Sequence, residues 1–368
     1  MVNPYFSRAR LLFSLPRYYW FRLFGRPAPL PLSYTISVTY RCNSRCLTCN
    51  IYEKDAAELT PGEYEKIFKK LGRRPFWVTF SGGEPFLRKD FSDIVKSFYR
   101  ICRPSIINIP TNGILSESIP GEVVSMADFC SDARIIVNLS LDDIGEKHDA
   151  IRGAPGAFEK ALMTYRELKR RQGSNVTIGI HTVVSRYNQD RFQEIYAYMK
   201  RLEPDSYITE MAEEREELGT MGEAHGPDPG TYKKIVDFLY DRMQQEEHGE
   251  RIPELVKSFR MEYYKLAEQI LRENRQVIPC YAGWVSCQID PKGDVWMCCV
   301  RAIPAGNLRD SGYHFGRIWR SPAAREERKR IKNRECGCPL ANAAYTNMLF
   351  HPATLFRVGK HLWRSGRR

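Results

Sequence analysis

The chain lacks the features that would place it in a membrane, in a secretory pathway or among disordered segments. No apolar run approaches the ~20 residues that a membrane-spanning helix needs, and mean hydropathy is −0.46. The opening stretch MVNPYFSRARLLFSLPRYYWFRLFG has neither a continuous apolar centre nor a small-residue cleavage site, so no secretion signal is expected. There is no low-complexity tract and no internal repeat. Hydrophobic residues make up 43% of the 368, enough for one large core or two smaller ones. Acidic residues are missing from both ends. Residues 1–33 carry Arg8, Arg10, Arg17, Arg22 and Arg26 with no acid, and 341–368 carry Arg357, Lys360, Arg364, Arg367 and Arg368 with none. The net charge of +12 therefore belongs to the termini, and the middle is nearly neutral.

Between residues 35 and 211 short β-branched runs alternate with helical stretches. The runs are Tyr34–Tyr40, Trp77–Phe80, Ile106–Thr111, Arg134–Leu141, Val176–Val184 and Ser206–Met211. The first helix is marked by Thr60, Pro61 and Glu63, a capping box with proline in the first turn, and by the apolar face Ile67, Phe68 and Leu71. Further helices are expected at 91–101, 118–129, 156–172 and 190–201. Six successive strand–helix units predict an α/β fold with a parallel sheet, either open and doubly wound or a partial barrel. The acidic, Gly/Pro-rich stretch 212–230 reads as a loop or boundary, and its run Glu213–Glu217 as solvated, with a substrate or lid contact as the other reading. Two helices are expected after it, the second with the stripe Leu255, Phe259, Tyr263, Leu266 and Ile270. His181, in the fifth strand, reads as structural unless it faces a barrel interior.

Eleven cysteines are present, and without an export signal their clustering points to metal rather than to disulfides. Cys102 and Cys130 stand apart and read as small buried hydrophobes. The first strand runs into Cys42, Cys46 and Cys49, spaced Cys-x3-Cys-x2-Cys. Three thiolates are one short of a closed structural zinc site or an ordinary [4Fe–4S] cluster, which leaves one iron open to an external molecule. The alternatives are a zinc site completed from a distance and chance packing of three cysteines. After the second strand comes Ser81-Gly82-Gly83-Glu84-Pro85, whose paired glycines let a ligand approach the backbone beside a carboxylate.

In order and spacing these motifs, with Thr111-Asn112-Gly113, Leu139-Ser140-Leu141-Asp142 and His148-Asp149-Ala150-Ile151-Arg152-Gly153, resemble those of the radical S-adenosylmethionine (SAM) superfamily. The resemblance spans roughly 34–211 and implies a partial (β/α)6 TIM-like barrel with its chemistry at the strands' C-terminal ends. It implies that Cys42, Cys46 and Cys49 hold a [4Fe–4S] cluster whose fourth iron chelates SAM. Gly82, Gly83 and Glu84 would receive the SAM amino group. Ser140 and Arg152 would contact its carboxylate and ribose, with Asn112 near the same face. Reductive cleavage of SAM would then give a 5′-deoxyadenosyl radical that abstracts hydrogen from substrate. One departure is Thr48, where many members carry an aromatic residue before the third cysteine, so adenine stacking from that position is not expected.

From Pro279 the chain changes to short strands, turns and six cysteines: Cys280, Cys287, Cys298, Cys299, Cys336 and Cys338. Asp290-Pro291-Lys292-Gly293-Asp294 reads as a hairpin turn. This stretch resembles the SPASM/twitch extension of many radical SAM barrels, a small cysteine-rich α+β domain for auxiliary iron–sulfur clusters. One auxiliary cluster is expected, held by Cys280, Cys298, Cys336 and Cys338, with Cys287 or Cys299 as substitutes and structural zinc as the alternative. The expected organisation is a basic arm at 1–33, the barrel at 34–211, a linker at 212–275, the auxiliary domain at 276–340 and a basic tail at 341–368.

Both ends interleave cations with large apolar residues, among them Tyr19, Trp20, Phe24, Phe356 and Trp363, a composition suited to helices lying on anionic lipid. The other reading packs both ends on the barrel. A neutral middle without a basic groove counts against nucleic acid. The expectation is a cytoplasmic radical SAM enzyme, peripheral on the inner membrane face, supplied by a low-potential donor such as flavodoxin or ferredoxin, and acting on a lipid or lipid-linked substrate. The alternatives are a peptide- or protein-modifying maturase of SPASM type, and a non-catalytic iron–sulfur scaffold or electron carrier.

Overall fold

The computed structural model describes residues 4–245 and 253–365, with the side chains of 14–245 and 253–363. The expected basic residues Arg8, Arg10, Arg364, Arg367 and Arg368 therefore lie outside the described side chains. Among the described residues nine strands form one sheet. They are β1 (Ser33–Thr39), β2 (Trp77–Gly82), β3 (Ile106–Thr111), β4 (Arg134–Ser140), β5 (Val176–Val184), β6 (Ser206–Met211), β7 (Ser286–Ile289), β8 (Asp294–Trp296) and β9 (Pro304–Asn307). The order is β6-β5-β4-β3-β2-β1-β7-β8-β9, with β1 to β6 all parallel. The order never reverses within β1 to β6, which excludes the doubly wound alternative. The sheet does not close, so this is a partial TIM-like barrel.

The auxiliary region is built onto the same sheet. Strand β7 pairs in parallel with β1, Tyr34 opposite Cys287 and Thr35 opposite Gln288, and β8 and β9 follow antiparallel. The expected turn at 290–294 forms, with Asp290 accepting hydrogen bonds from the backbone N–H groups of Lys292 and Asp294. Arg309 also ties this region to the first barrel helix, Pro61–Leu71, donating to Glu63 at 2.7 Å and holding that carboxyl down at about 2. The same Glu63 closes the expected capping box with Thr60.

Each barrel strand presents two chemistries. Outward residues such as Ile36, Val38, Phe80, Ile107, Val137, Leu139, Ile178 and Ile180 are fully buried under the helices. There Phe80 meets Phe91 and Phe98 edge-on, at 6.0 and 5.6 Å between ring centres. The inward side is polar instead of the branched aliphatic layers that fill closed barrels. Asn138 donates to Asn108 at 3.0 Å, and Asn108 to Thr79 at 3.3 Å. Gly179 leaves room for this amide row, since a Cβ there would lie 2.2 Å from the Asn138 Oδ1. Cys102 and Cys130 are buried in the core, as expected of small hydrophobes.

The terminal helices Pro4–Phe24 and Pro352–Ser365 pack some of their apolar residues on the barrel and leave others exposed. Tyr18 and Phe21 are buried, and Arg22 donates to the Cys280 carbonyl at 3.2 Å. Trp20, Leu23, Phe24, Leu355, Phe356 and Trp363 stay exposed. Among the described residues no helix is long and apolar enough to cross a membrane.

Candidate active site

The loop after β1 that carries Cys42, Cys46 and Cys49 is clamped from several sides, and each clamp is one of the motifs found in the sequence. From β2, Gly83 and Glu84 donate their backbone N–H groups to the Thr39 and Arg41 carbonyls at 2.8 and 2.9 Å. A Cβ on Gly82, at φ +125°, or on Gly83 would lie 2.1 Å from a backbone oxygen of that segment. The glycine pair thus lets two strand ends touch. From β3, the Asn112 amide donates to the Asn43 Oδ1 at 2.7 Å and the Ser44 Oγ at 3.1 Å. From helix Glu146–Arg152, the Arg152 and Ile151 carbonyls accept from Arg45 and Leu47 at 2.8 and 2.9 Å. Gly153, at φ +56°, permits that approach, because a Cβ there would meet the Arg45 carbonyl at 2.3 Å.

Glu84 is buried under this loop and accepts three hydrogen bonds, from the Thr111 hydroxyl and the Asn112 and Phe86 N–H groups. Burial, against those bonds, pushes its carboxyl up to about 7. A carboxylate has about four acceptor positions, so one remains for a ligand amine. Arg152 forms an ion pair with Asp142 at 2.8 Å and reaches the Cys46 Sγ at 3.8 Å, while its Nε is buried without a hydrogen-bond partner. The Asp142 N–H donates to His148 Nδ1, and burial drives that imidazole down to about 4, so it is neutral. Ser140 ends β4 half-buried, opposite His181 of β5, whose imidazole lies 3.4 Å from Glu210. His181 therefore belongs to the polar interior rather than to the packed outer face.

The three thiols fit an anionic iron–sulfur centre. Cys46 acts electrostatically on both Cys42 and Cys49, Cys42 acts on Cys49 as well, and burial raises both, Cys49 to about 12. Such thiols give up their protons to a metal, and the donors around them, Arg152 on Cys46 and the Ser44 N–H on Cys42 at 3.4 Å, are those a thiolate-bound cluster uses.

Of the second set, Cys280 acts on Cys298, Cys336 and Cys338, Cys298 acts on Cys299 and Cys338, and Cys299 acts on Cys338. Cys287 stands apart, its side chain between β1 and Arg328 on the core side of β7. The structure therefore groups Cys299, and not Cys287, with the expected four. Among the described residues no three His, Cys, Asp or Glu side chains crowd about a single point as one bound ion requires.

The acidic run departs from its expected solvation. Glu213, Arg215 and Glu217 turn inward, Arg215 lying 3.4 and 3.6 Å from the two carboxylates, while Glu214 and Glu216 face solvent. The signal was the E-x-R-x-E spacing: extended backbone at Arg215 followed by the 3-10 turn Glu216–Leu218 brings two carboxylates to one guanidinium. The role of Asp142 and His148 in holding Arg152 was likewise present only as motif letters.

An unclosed parallel barrel with paired cysteine loops defines an iron–sulfur enzyme of the SAM-cleaving kind, and known proteins agree. Residues 36–199 match the radical SAM superfamily and 280–339 the SPASM iron–sulfur cluster-binding domain. The chain is 28% identical to the mycofactocin maturase MftC of Mycolicibacterium smegmatis over 80% of its own length and 72% of that protein. It is 25% identical to the AdoMet-dependent heme synthase of Methanosarcina barkeri, over 77% of its own length and 80% of that protein. The solved structure of native anSMEcpe with bound AdoMet and Cp18Cys peptide superposes with a TM-score of 0.61 at 18% identity, covering 91% of this chain and 97% of that one. The chain belongs to the radical SAM superfamily and carries a C-terminal SPASM domain. It is an enzyme whose cofactors are a [4Fe–4S] cluster, SAM and an auxiliary iron–sulfur cluster.

Proposed function

We propose that this enzyme abstracts hydrogen from a peptide or protein substrate, not from a lipid. The observation that carries this reading is the polar barrel interior: Thr79, Asn108 and Asn138 bond one another and His181 pairs with Glu210, while Asn138 Oδ1 and His181 Nε2 are buried without a hydrogen-bond partner, a need that an acyl chain could not satisfy and an amide backbone can. The maturase relative and the peptide-bound structural neighbour support it. The lipid reading rested on the terminal arms alone.

In this reading Cys42, Cys46 and Cys49 hold the cluster of the barrel, and Cys280, Cys298, Cys336 and Cys338 the auxiliary one. Cys42, Cys46 and Cys49 would hold a [4Fe–4S] cluster, which when bound would supply the one-electron reduction that splits SAM into methionine and a 5′-deoxyadenosyl radical. A low-potential flavodoxin or ferredoxin is the proposed source of that electron. Glu84 takes the SAM amino group on its remaining acceptor position, and Arg152, with its free Nε, and Ser140 take the carboxylate and ribose. Asn112 holds the cysteine loop in place. The polar interior orients the substrate and limits the radical to one C–H bond.

The test compares peptide and lipid extracts of cells that hold the protein or its Cys42→Ala variant, by untargeted mass spectrometry. Mass changes in peptides that vanish with Cys42→Ala support the reading. Changes confined to lipids or tetrapyrroles overturn it. A membrane-surface attachment is a separate proposal, favoured by exposed Trp20, Phe24, Phe356 and Trp363 near Arg17, Arg357 and Lys360. Sedimentation with phosphatidylserine vesicles should fall when these four aromatics become serine, and unchanged sedimentation removes it.

A further inference from the structure

Charge in the nearly neutral middle of the chain is unevenly placed. Residues 317–334 hold eight Lys and Arg against two Glu, and they run straight into the loop that carries Cys336. Two of the eight cations are engaged: Arg328 is buried and donates to the Trp319 carbonyl at 2.8 Å, and Arg330 pairs with Glu327 at 3.0 Å and Glu326 at 3.8 Å. Arg301 takes Glu327 and Glu335 as well, at 3.3 and 3.8 Å. The other six, Arg317, Arg320, Arg325, Lys329, Lys332 and Arg334, are exposed, and among the described residues none lies within ion-pair distance of a carboxylate. Arg325, Lys329 and Lys332 fall at i, i+4 and i+7 of the helix Pro322–Lys332, which sets them on one face. The helix dipole accounts for Lys329 and Lys332, in the last turn, where cations are favoured. It disfavours Arg320 and Arg325, which flank the first turn of the same helix. The face is more basic than its helix requires.

We propose that this face docks an acidic one-electron carrier protein, of the flavodoxin or ferredoxin kind, beside Cys336. The placement deepens the proposed function by locating the electron donor, and it rests on the reading that Cys336 is a ligand of an iron–sulfur site. Cys336 is half-buried between exposed Glu335 and Gly337, whereas Cys280 and Cys338 are buried. Its loop is held in place. The Gln276 N–H donates to the Cys336 carbonyl at 3.0 Å, and a Cβ on Gly337 would lie 3.1 Å from the Arg275 backbone nitrogen. Arg334 stands two residues before Cys336, so a carrier drawn to these cations arrives at the exposed rim of the site. Cations without acidic partners steer an acidic protein to its contact and speed the encounter, an effect that salt screens. In each encounter the reduced carrier loses one electron and the enzyme gains one, and no bond forms or breaks.

The experiment titrates anaerobically reconstituted holoenzyme with an acidic bacterial flavodoxin and with an acidic bacterial ferredoxin, reading affinity by calorimetry at low and high salt. Wild type is compared with Lys329→Glu/Lys332→Glu, with Lys329→Gln/Lys332→Gln, and with Lys160→Glu/Arg166→Glu, a control of equal charge change on the exposed side of helix Ala157–Arg170. At least one carrier is expected to bind wild type, more weakly at high salt. Affinity should drop about tenfold in Lys329→Glu/Lys332→Glu, by less in the Gln pair, and not in the control. Release of 5′-deoxyadenosine should fall likewise with the carrier as reductant and hold at the wild-type rate with dithionite. Binding of neither carrier, equal losses in the control and the Glu pair, or an oligonucleotide bound as tightly as the carrier overturns the proposal. Should the Glu pair fail to fold, the Gln pair decides: weaker carrier binding supports the proposal, and unchanged binding overturns it. Failure of the underlying reading shows elsewhere, in a Cys336→Ala protein that keeps all the iron of wild type.

Discussion

The guanidinium of Arg152 stands 3.8 Å from the sulfur of Cys46, a residue 106 positions earlier in the chain. The contact joins the end of the fourth strand–helix unit to the loop that opens the first, and its other arm is neutralised by Asp142. Both members of that pair are largely shielded, at 12% and 4% side-chain exposure. Arg152→Gln should therefore strand a buried carboxylate and lower stability by about 3 kcal/mol. In denaturant unfolding the double variant Asp142→Asn/Arg152→Gln should lose clearly less than the sum of the two single changes. Additive losses would mean the pair is not coupled.

The glycine pair gives a sharper steric expectation. Gly83→Ala drives a Cβ to 2.1 Å from the Arg41 carbonyl, where only backbone could yield. It should abolish iron retention at the barrel site. Gly62→Ala, in the first turn of helix Pro61–Leu71 and with nothing within 4 Å, should leave iron unchanged and stability equal or up to about 1 kcal/mol higher. Iron and sulfide analysis of the two purified variants checks both.

The raised carboxyl of Glu84 sets a pH dependence. Its folded value, about 7, lies above the ordinary 4.5, so in the ligand-free protein it holds its proton across that interval. An amine donor needs the carboxylate. SAM affinity should therefore weaken by up to roughly tenfold per pH unit below about 7 and level off above it. Deprotonation of the SAM amine contributes in the same direction, so the measurement is the difference between wild type and Glu84→Gln. In calorimetric titrations from pH 6 to 8.5 the variant should bind more weakly and lose the Glu84 component of the slope. Parallel profiles would contradict the assignment.

The two kinds of cysteine in the auxiliary region should separate cleanly. Cys287→Ala removes a core side chain on β7 and should cost about 1 kcal/mol in stability while leaving iron content alone. Cys338→Ala should remove the auxiliary iron. Equal iron loss in both would return Cys287 to the ligand set.

Much of the fold was legible in the sequence because the barrel strands are short β-branched runs set between helical stretches. Ile106–Thr111, Val176–Val184 and Ser206–Met211 begin and end where the β-branched runs do, and Thr60 with Glu63 marks a helix start by a purely local hydrogen-bond exchange. The barrel's strand order was not legible, since it depends on which edges pair. The union of β7 with β1 is of the same kind: a contact across about 250 residues that leaves no local trace. The short helix Glu146–Arg152 escaped periodicity because seven residues are too few to show it. Glu213–Glu217 was misread for a different reason. A run of charges ordinarily faces water, and here burial became affordable only because Arg215 sits between two carboxylates and this segment fills the space between two loops.

The most direct test of the central claim, that the loop 42–49 holds a cluster with an iron left open to SAM, is iron analysis paired with SAM cleavage on anaerobically reconstituted protein. Wild type should bind about eight irons and release 5′-deoxyadenosine when given a strong reductant and SAM. The triple variant Cys42→Ala/Cys46→Ala/Cys49→Ala should retain about four irons and release none. Zinc in place of iron, or a triple variant that keeps the full iron content, would contradict the account.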